Sequence, residues 1–256
     1  MLASDLLGLQ IEVATEAAEA APVVANPQTD ADADVERGID LQASLARLER
    51  HRTALKAGTL SLMAALESNY LAALAGLGLD HHSPIELLLP MKRVASNGAK
   101  NTLPHPSLGP RLFFIALYLD LQRKACGFGN RQASLYRAPA YNAAIGGARF
   151  SQHQAMAAAD THPIGGSRRA LQQAAESLRN RRIDLTPEQQ KVFRDWIRKY
   201  NLGPGVFSGS VKGERINPAN LRVRLDGPDA GINIIGGQGD YSWGSHRDLR
   251  GTVARW

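Results

Sequence analysis

The stretch that most constrains this chain is "RLFFIALYLDLQRK" at residues 111–124. It reads as a strongly apolar helix, and such a helix has to be buried on most sides by the rest of the protein. It is also too short to span a bilayer, and no run of 18 or more apolar residues occurs anywhere. The sequence therefore predicts a globular core built around residues 111–124, ended by the "GFG" at 127–129.

The elements around that helix are uneven. Leu41, Leu45, Leu48, Leu55, Leu62 and Leu66 share one helical face, so residues 39–77 read as helical, with Gly58 weakening the middle by about 1 kcal/mol. Two arrangements follow: a hairpin packed on its own domain, which is favoured, or a dimerising coiled coil that would make the chain a homo-oligomer. Residues 78–110, with five prolines, read as loop. Residues 167–181 predict a basic amphipathic helix. Thr186, Pro187 and Gln189 mark the start of another, as N-cap, first-turn proline and capping-box partner, and it ends near Tyr200. "LRVRL" (221–225) and "INII" (232–235), joined by "DGPDAG", predict a β-hairpin, and "SHRDLRGTVARW" a final strand.

Charge divides the chain. The formal net charge is +6, yet residues 1–36 hold eight acids and no Lys or Arg, so the remainder carries +14. The acidic segment reads as a disordered tail and linker over residues 1–38. A basic body favours anionic partners: nucleic acid, an anionic membrane surface or the bacterial cell wall. Arg168, Arg169, Arg179, Arg181 and Arg182 raise the nucleic-acid reading, but no recognised nucleic-acid motif accompanies them and a solvated basic face is the simpler account. The N-terminus lacks the basic start and unbroken apolar run of a secretory signal. The expectation is that an extracytoplasmic target is reached by lysis or from a virus particle.

Cys126 is the single cysteine, which excludes an intramolecular disulfide framework and any Cys-rich zinc module. A metal site must then use His and carboxylate. His51, His81, His82 and His105 have no regular partner and read as surface or packing residues. His153 and Asp160 differ, being seven apart within "SLYRAPAYNAAIGGARFSQHQAMAAAD" (134–160), and "SHRD" supplies His246 near the C-terminus. Imidazole and carboxylate both suit zinc, but His-x6-Asp alone occurs in many unrelated loops.

These residues sit in blocks that resemble a family. "SLYRAPAYNAAIGG", then Ser151-x-His153 with Ala158-x-Asp160, then His246-x-Asp248-x-Arg250-Gly251 with a terminal "ARW", follow the order found in bacterial zinc peptidases of the D-alanyl-D-alanine carboxypeptidase type. Those proteins share a fold with the Hedgehog signalling domain. The resemblance covers roughly residues 85–256 and diverges over about 164–235. It implies an α+β domain over residues 91–256, a small antiparallel sheet with helices packed around it, preceded by the helical region 39–90. It implies one Zn²⁺ per chain held by His153, Asp160 and His246, and Arg137 holding substrate and polarising the scissile carbonyl. Ser151 would be a supporting or substrate contact. The implied activity is hydrolysis of peptidoglycan stem peptides by a metal-activated water, as a carboxypeptidase or as an endolysin-like endopeptidase.

Two departures matter. Met156 stands at a family glycine, with a narrowed cleft or a shifted His153–Asp160 turn as the expectation. The family's base, a Glu three residues or a His two residues before the last ligand, is replaced by Trp243 and Gly244. Asp248 shares a strand face with His246 and would orient it or act as base. Asp240 is a further base candidate if the "GQGDYSWG" loop folds over the metal. Tyr241 and Trp243 flank the cleft in one reading and belong to a packing contact in the other. His162, two residues past Asp160, reads as a surface residue. A catalytically silent, zinc-containing wall-binding or assembly module is the alternative function.

Overall fold

The computed structural model describes residues 62–203, 209–211, 214–216, 222–251 and 254–255. The acidic tail and the helix expected over 39–61 lie outside the described residues. In chain order the elements are α1 (Leu62–Gly76), α2 (Pro84–Leu88), α3 (Gly109–Cys126), β1 (Gly129–Ser134), α4 (Pro139–Ala144), β2 (Ala158–Ile164), α5 (Arg168–Ser177), β3 (Arg182–Asp184), α6 (Pro187–Lys199), β4 (Gly209–Val211), β5 (Glu214–Ile216), β6 (Gly231–Asn233), β7 (Gly237–Asp240), β8 (Ser245–Asp248) and β9 (Ala254–Arg255). The protein is thus α+β, and none of the described helices is long and apolar enough to cross a membrane.

The apolar stretch forms α3, and its residues from Leu112 to Leu119 are all buried. Gly127 takes a left-handed φ of 72° and closes the helix, with its N–H donating to the Arg123 carbonyl. Two further helices wrap α3. Tyr70 of α1 and Trp196 of α6 meet at 4.6 Å between ring centroids, and Phe113 of α3 meets Trp196 edge-on at 5.0 Å. Gly109 permits that approach, since a Cβ there would lie 2.3 Å from the Trp196 indole nitrogen. The described part of the 39–90 region therefore packs into the same core as α3 and α6. The start of α6 follows the sequence: Thr186 and Gln189 form a reciprocal capping box with Pro187 in the first turn.

The main sheet has the order β1-β2-β8-β7-β9. The first three pairings are antiparallel, and β9 joins β7 in parallel. Three expectations change. The proline-rich 78–110 region contains α2, begun by the Ser83 cap, and a 3-10 turn at Leu89–Lys92. The hairpin expected around "DGPDAG" shrinks to one bridge, Arg224 with Gly231, because β6 pairs with β3 and buries Ile232 against Ile183. The single last strand is two, β8 and β9, separated by a left-handed Gly251 whose N–H donates to the Ile235 carbonyl.

Candidate metal centre

Strand register creates the site. Ser134 of β1 pairs with Asp160 of β2, Asp160 with His246 of β8, and His246 with Gly239 of β7. Paired residues share a face of the sheet, so Ser134, Asp160, His246 and Gly239 form one transverse row. Gly239 adds no side chain beside His246, which leaves space above the row. His153 arrives from the 3-10 turn Gln152–Ala155, directly before β2.

That turn is fixed from four directions. Ser151 Oγ accepts from the His153 N–H at 3.3 Å. Arg111 of α3 is buried, and its Nη1 donates to the Ala155 carbonyl at 2.9 Å. The Arg137 N–H donates to the His153 carbonyl at 3.2 Å. Met156 closes the turn at φ 51°, a left-handed conformation that costs a non-glycine residue roughly 1 kcal/mol. Its side chain is fully buried in the main core, so it does not narrow a cleft as the sequence suggested.

His153, Asp160 and His246 each offer a ligand atom, and these atoms lie within 4.8 Å of one another. His153 Nδ1 donates to the Leu135 carbonyl at 2.5 Å, which fixes the tautomer and leaves Nε2 with a lone pair. Nε2 is buried, has no hydrogen-bond partner, and sits 3.1 Å from Asp160 Oδ2. Two electron-rich atoms this close call for a cation between them. A His2Asp donor set of this kind fits zinc. His246 Nδ1 donates to Asp160 Oδ1 at 2.6 Å.

Electrostatics separates the two imidazoles. Burial pushes His153 down to about 4, helped by the Arg137 charge, so this ring is neutral. Burial also disfavours charge on His246, but hydrogen bonds to Asp160 and Asp248 outweigh it and raise it to about 9. Burial alone would raise Asp160; the two imidazoles hold it well below the usual carboxylate range. Before any metal arrives, protonated His246 and Arg137 are both counter-ions of Asp160.

The remaining candidates divide. Arg137 reaches the centre: Nη2 donates to Asp160 Oδ2 at 2.6 Å and Nε to Ser134 Oγ at 2.7 Å. Asp248 is on the His246 face, 3.8 Å from His246 Nε2, yet its carboxylate is fully committed. It accepts from the Gly237 N–H at 2.8 Å and from Arg250 through Nε at 3.0 Å and Nη2 at 2.6 Å. Burial works against that charge; the hydrogen bonds of His246, Arg250 and Gly237 overcome it and hold the carboxylate far below its ordinary range. It is placed to orient His246. Asp240 is not brought in: its register partner is Ser245, on the opposite face, and it accepts from Gln238 Nε2 at 2.9 Å. Ser151 acts on the His153 turn. Trp243 sits in the tight turn between β7 and β8, stacked on Tyr241 at 4.8 Å and on His162 at 5.1 Å. His162 is thus a stacking partner and not a lone surface residue.

Sequence reasoning passed over Arg111, Ser134 and the Leu135 carbonyl. Arg250 had a signal in its two-residue spacing from Asp248, whereas a backbone carbonyl leaves none.

A family model for Peptidase M15 matches residues 126–194. Over this segment the chain resembles the Peptidase M15 family. The segment contains Arg137, Ser151, His153 and Asp160, and β8 brings His246 to them from outside it. No curated protein and no solved structure matches the chain.

Proposed function

We propose that the protein is a zinc-dependent peptidase that hydrolyses peptidoglycan stem peptides. The observation that carries this reading is the buried, unpartnered Nε2 of His153 beside Asp160 and His246, in an M15 context. Zinc, when bound, supplies Lewis acidity and lowers the pKa of coordinated water towards about 7. The chain's own residues do the rest. Leu135 and Asp248 set the two imidazole orientations. Arg137 places a fixed positive charge next to Asp160, where it can bind a peptide carbonyl or carboxylate and stabilise developing negative charge. The +14 carried outside the acidic segment favours the anionic cell wall as the place of action, reached from a phage lysin or a virion.

The catalytically silent alternative has a specific support: the described residues place no uncommitted carboxylate or imidazole at the hairpin position next to His246. The deciding experiment is mass spectrometry of purified peptidoglycan fragments after incubation with the protein, with and without a chelator. A chelator-sensitive product whose mass names the bond is the expected result. Zinc-loaded protein that yields no product from several wall types would instead assign the domain to wall binding.

A further inference from the structure

The reverse face of the same sheet holds a second polar concentration, unrelated to the metal ligands. Arg247 follows His246 in β8 and so points the other way, towards α3 and α5. Only 3% of it is exposed. Its Nη2 donates to the Ala175 carbonyl at 2.8 Å, near the C-terminal end of α5. Nε and Nη1 are buried with only the Tyr118 hydroxyl close enough to accept, and no ion pair to Arg247 is found among the described residues.

The surroundings are donors and amides in the same condition. The Tyr118 hydroxyl of α3 lies beside Arg247, and burial pushes this phenol up to about 12 against the pull of the guanidinium. Ser245 Oγ, Gln238 Oε1 and both polar atoms of Gln122 are buried and unpartnered. Gln238 is the direct cross-strand neighbour of Arg247, Ser245 lies two residues before it on the same face, and Gln122 is one turn along α3 from Tyr118. Native interiors leave very few such atoms unsatisfied, and a concentration of them marks an internal water or ion. Charge decides between these. Water satisfies hydroxyls and amides but brings no counter-charge, and the α5 carbonyl supplies only a fraction of one. An unpaired buried guanidinium requires an anion.

We propose that Arg247, with Tyr118, Ser245 and the Gln122 amide, binds a small monovalent anion of chloride size between the sheet and α3. The metal face and the anion face would then share β8, each using alternate residues of "SHRD". An occupied anion site holds this strand in place from behind.

The test uses the whole chain and bromide. Crystals grown or soaked in bromide should show an anomalous peak next to Arg247 Nε. In solution, melting temperature should rise with chloride or bromide above its value in the same ionic strength of a bulky organic anion, and Arg247→Gln should remove that halide dependence. An anomalous map with no peak behind the sheet, and only ordered water or a Gln238 hydrogen bond at Arg247, overturns the proposal. So does a melting temperature indifferent to halide in the wild-type protein, a measurement that stands even if Arg247→Gln fails to fold.

Discussion

Strand β8 and the hairpin turn that precedes it face opposite chemical demands. Along the strand, from His246 to Asp248, the side chains are held by committed partners: Asp160 takes His246, Arg137 braces Asp160 and is itself held by Ser134, and Arg250 fills Asp248. In the turn, where the sequence motif it resembles has an acid or a histidine, the space is taken by Trp243 stacked on Tyr241 and on His162. The strand is built for electrostatic precision and the turn for packing. Ligand capacity and proton-transfer capacity are therefore separable in this protein, and a site can keep the first without the usual form of the second.

Removing a ligand tests the strand's arrangement most severely. Asp160→Asn should reduce bound zinc from about one ion per chain to none after dialysis, since three protein ligands are the minimum for such sites. Metal analysis and fragment mass spectrometry read the result. Zinc retained at full stoichiometry would show that the ion sits elsewhere.

Arg250→Leu comes next. It leaves the Asp248 carboxylate buried without its charge partner, which typically costs about 3–5 kcal/mol, and frees the group that orients His246. Denaturant unfolding should show that loss, and zinc affinity should fall about 10–100-fold. Normal zinc affinity in a destabilised variant would confine Arg250 to holding the chain between β8 and β9.

The imidazoles give a pH signature. His246, raised to about 9, carries a proton that zinc must displace, whereas His153, lowered to about 4, does not. Zinc affinity should thus rise about tenfold per pH unit through neutrality and level off above pH 9, with one proton released per ion by calorimetry in two buffers. Affinity that does not vary between pH 6 and 8 would mean that His246 is neutral before metal binds.

What the sequence disclosed follows the range of the interactions. The capping residues Thr186, Pro187 and Gln189 act within one turn, so the start of α6 was readable. The three ligand positions were readable because their blocks resemble a known family. Strand partners were not. "DGPDAG" announces a turn, but whether Ile232 pairs with Val223 or with Ile183 depends on a helix far along the chain that delivers β3. Met156 shows a second kind of opacity. No local rule places methionine in a left-handed cap; burial in the core outweighs a penalty of about 1 kcal/mol. Trp243 stood exposed to two readings because its second stacking partner, His162, is supplied by the register of β2.

Trp243→Ala tests the turn. Two stacked contacts at about 0.5–1.5 kcal/mol each predict a loss of about 2 kcal/mol, with zinc affinity unchanged because the ligands are braced independently. A variant of full stability whose hydrolysis disappears would instead make the indole a substrate contact.

The smallest effect is expected from Asp240→Asn. This carboxylate was a base candidate by position, but β7 register turns it to the face opposite His246, where it is exposed and accepts one hydrogen bond from Gln238. The change keeps a hydrogen-bond acceptor and removes a solvated charge, so stability should move by no more than about 0.5 kcal/mol. Chelator-sensitive hydrolysis, measured by the same fragment mass spectrometry, should proceed at the wild-type rate. A loss of about 100-fold, the scale of a missing general base, would require the hairpin to open in the substrate complex and carry Asp240 across the sheet edge. It would then supply, in the substrate complex, a base that the resting structure keeps on the other face of the sheet.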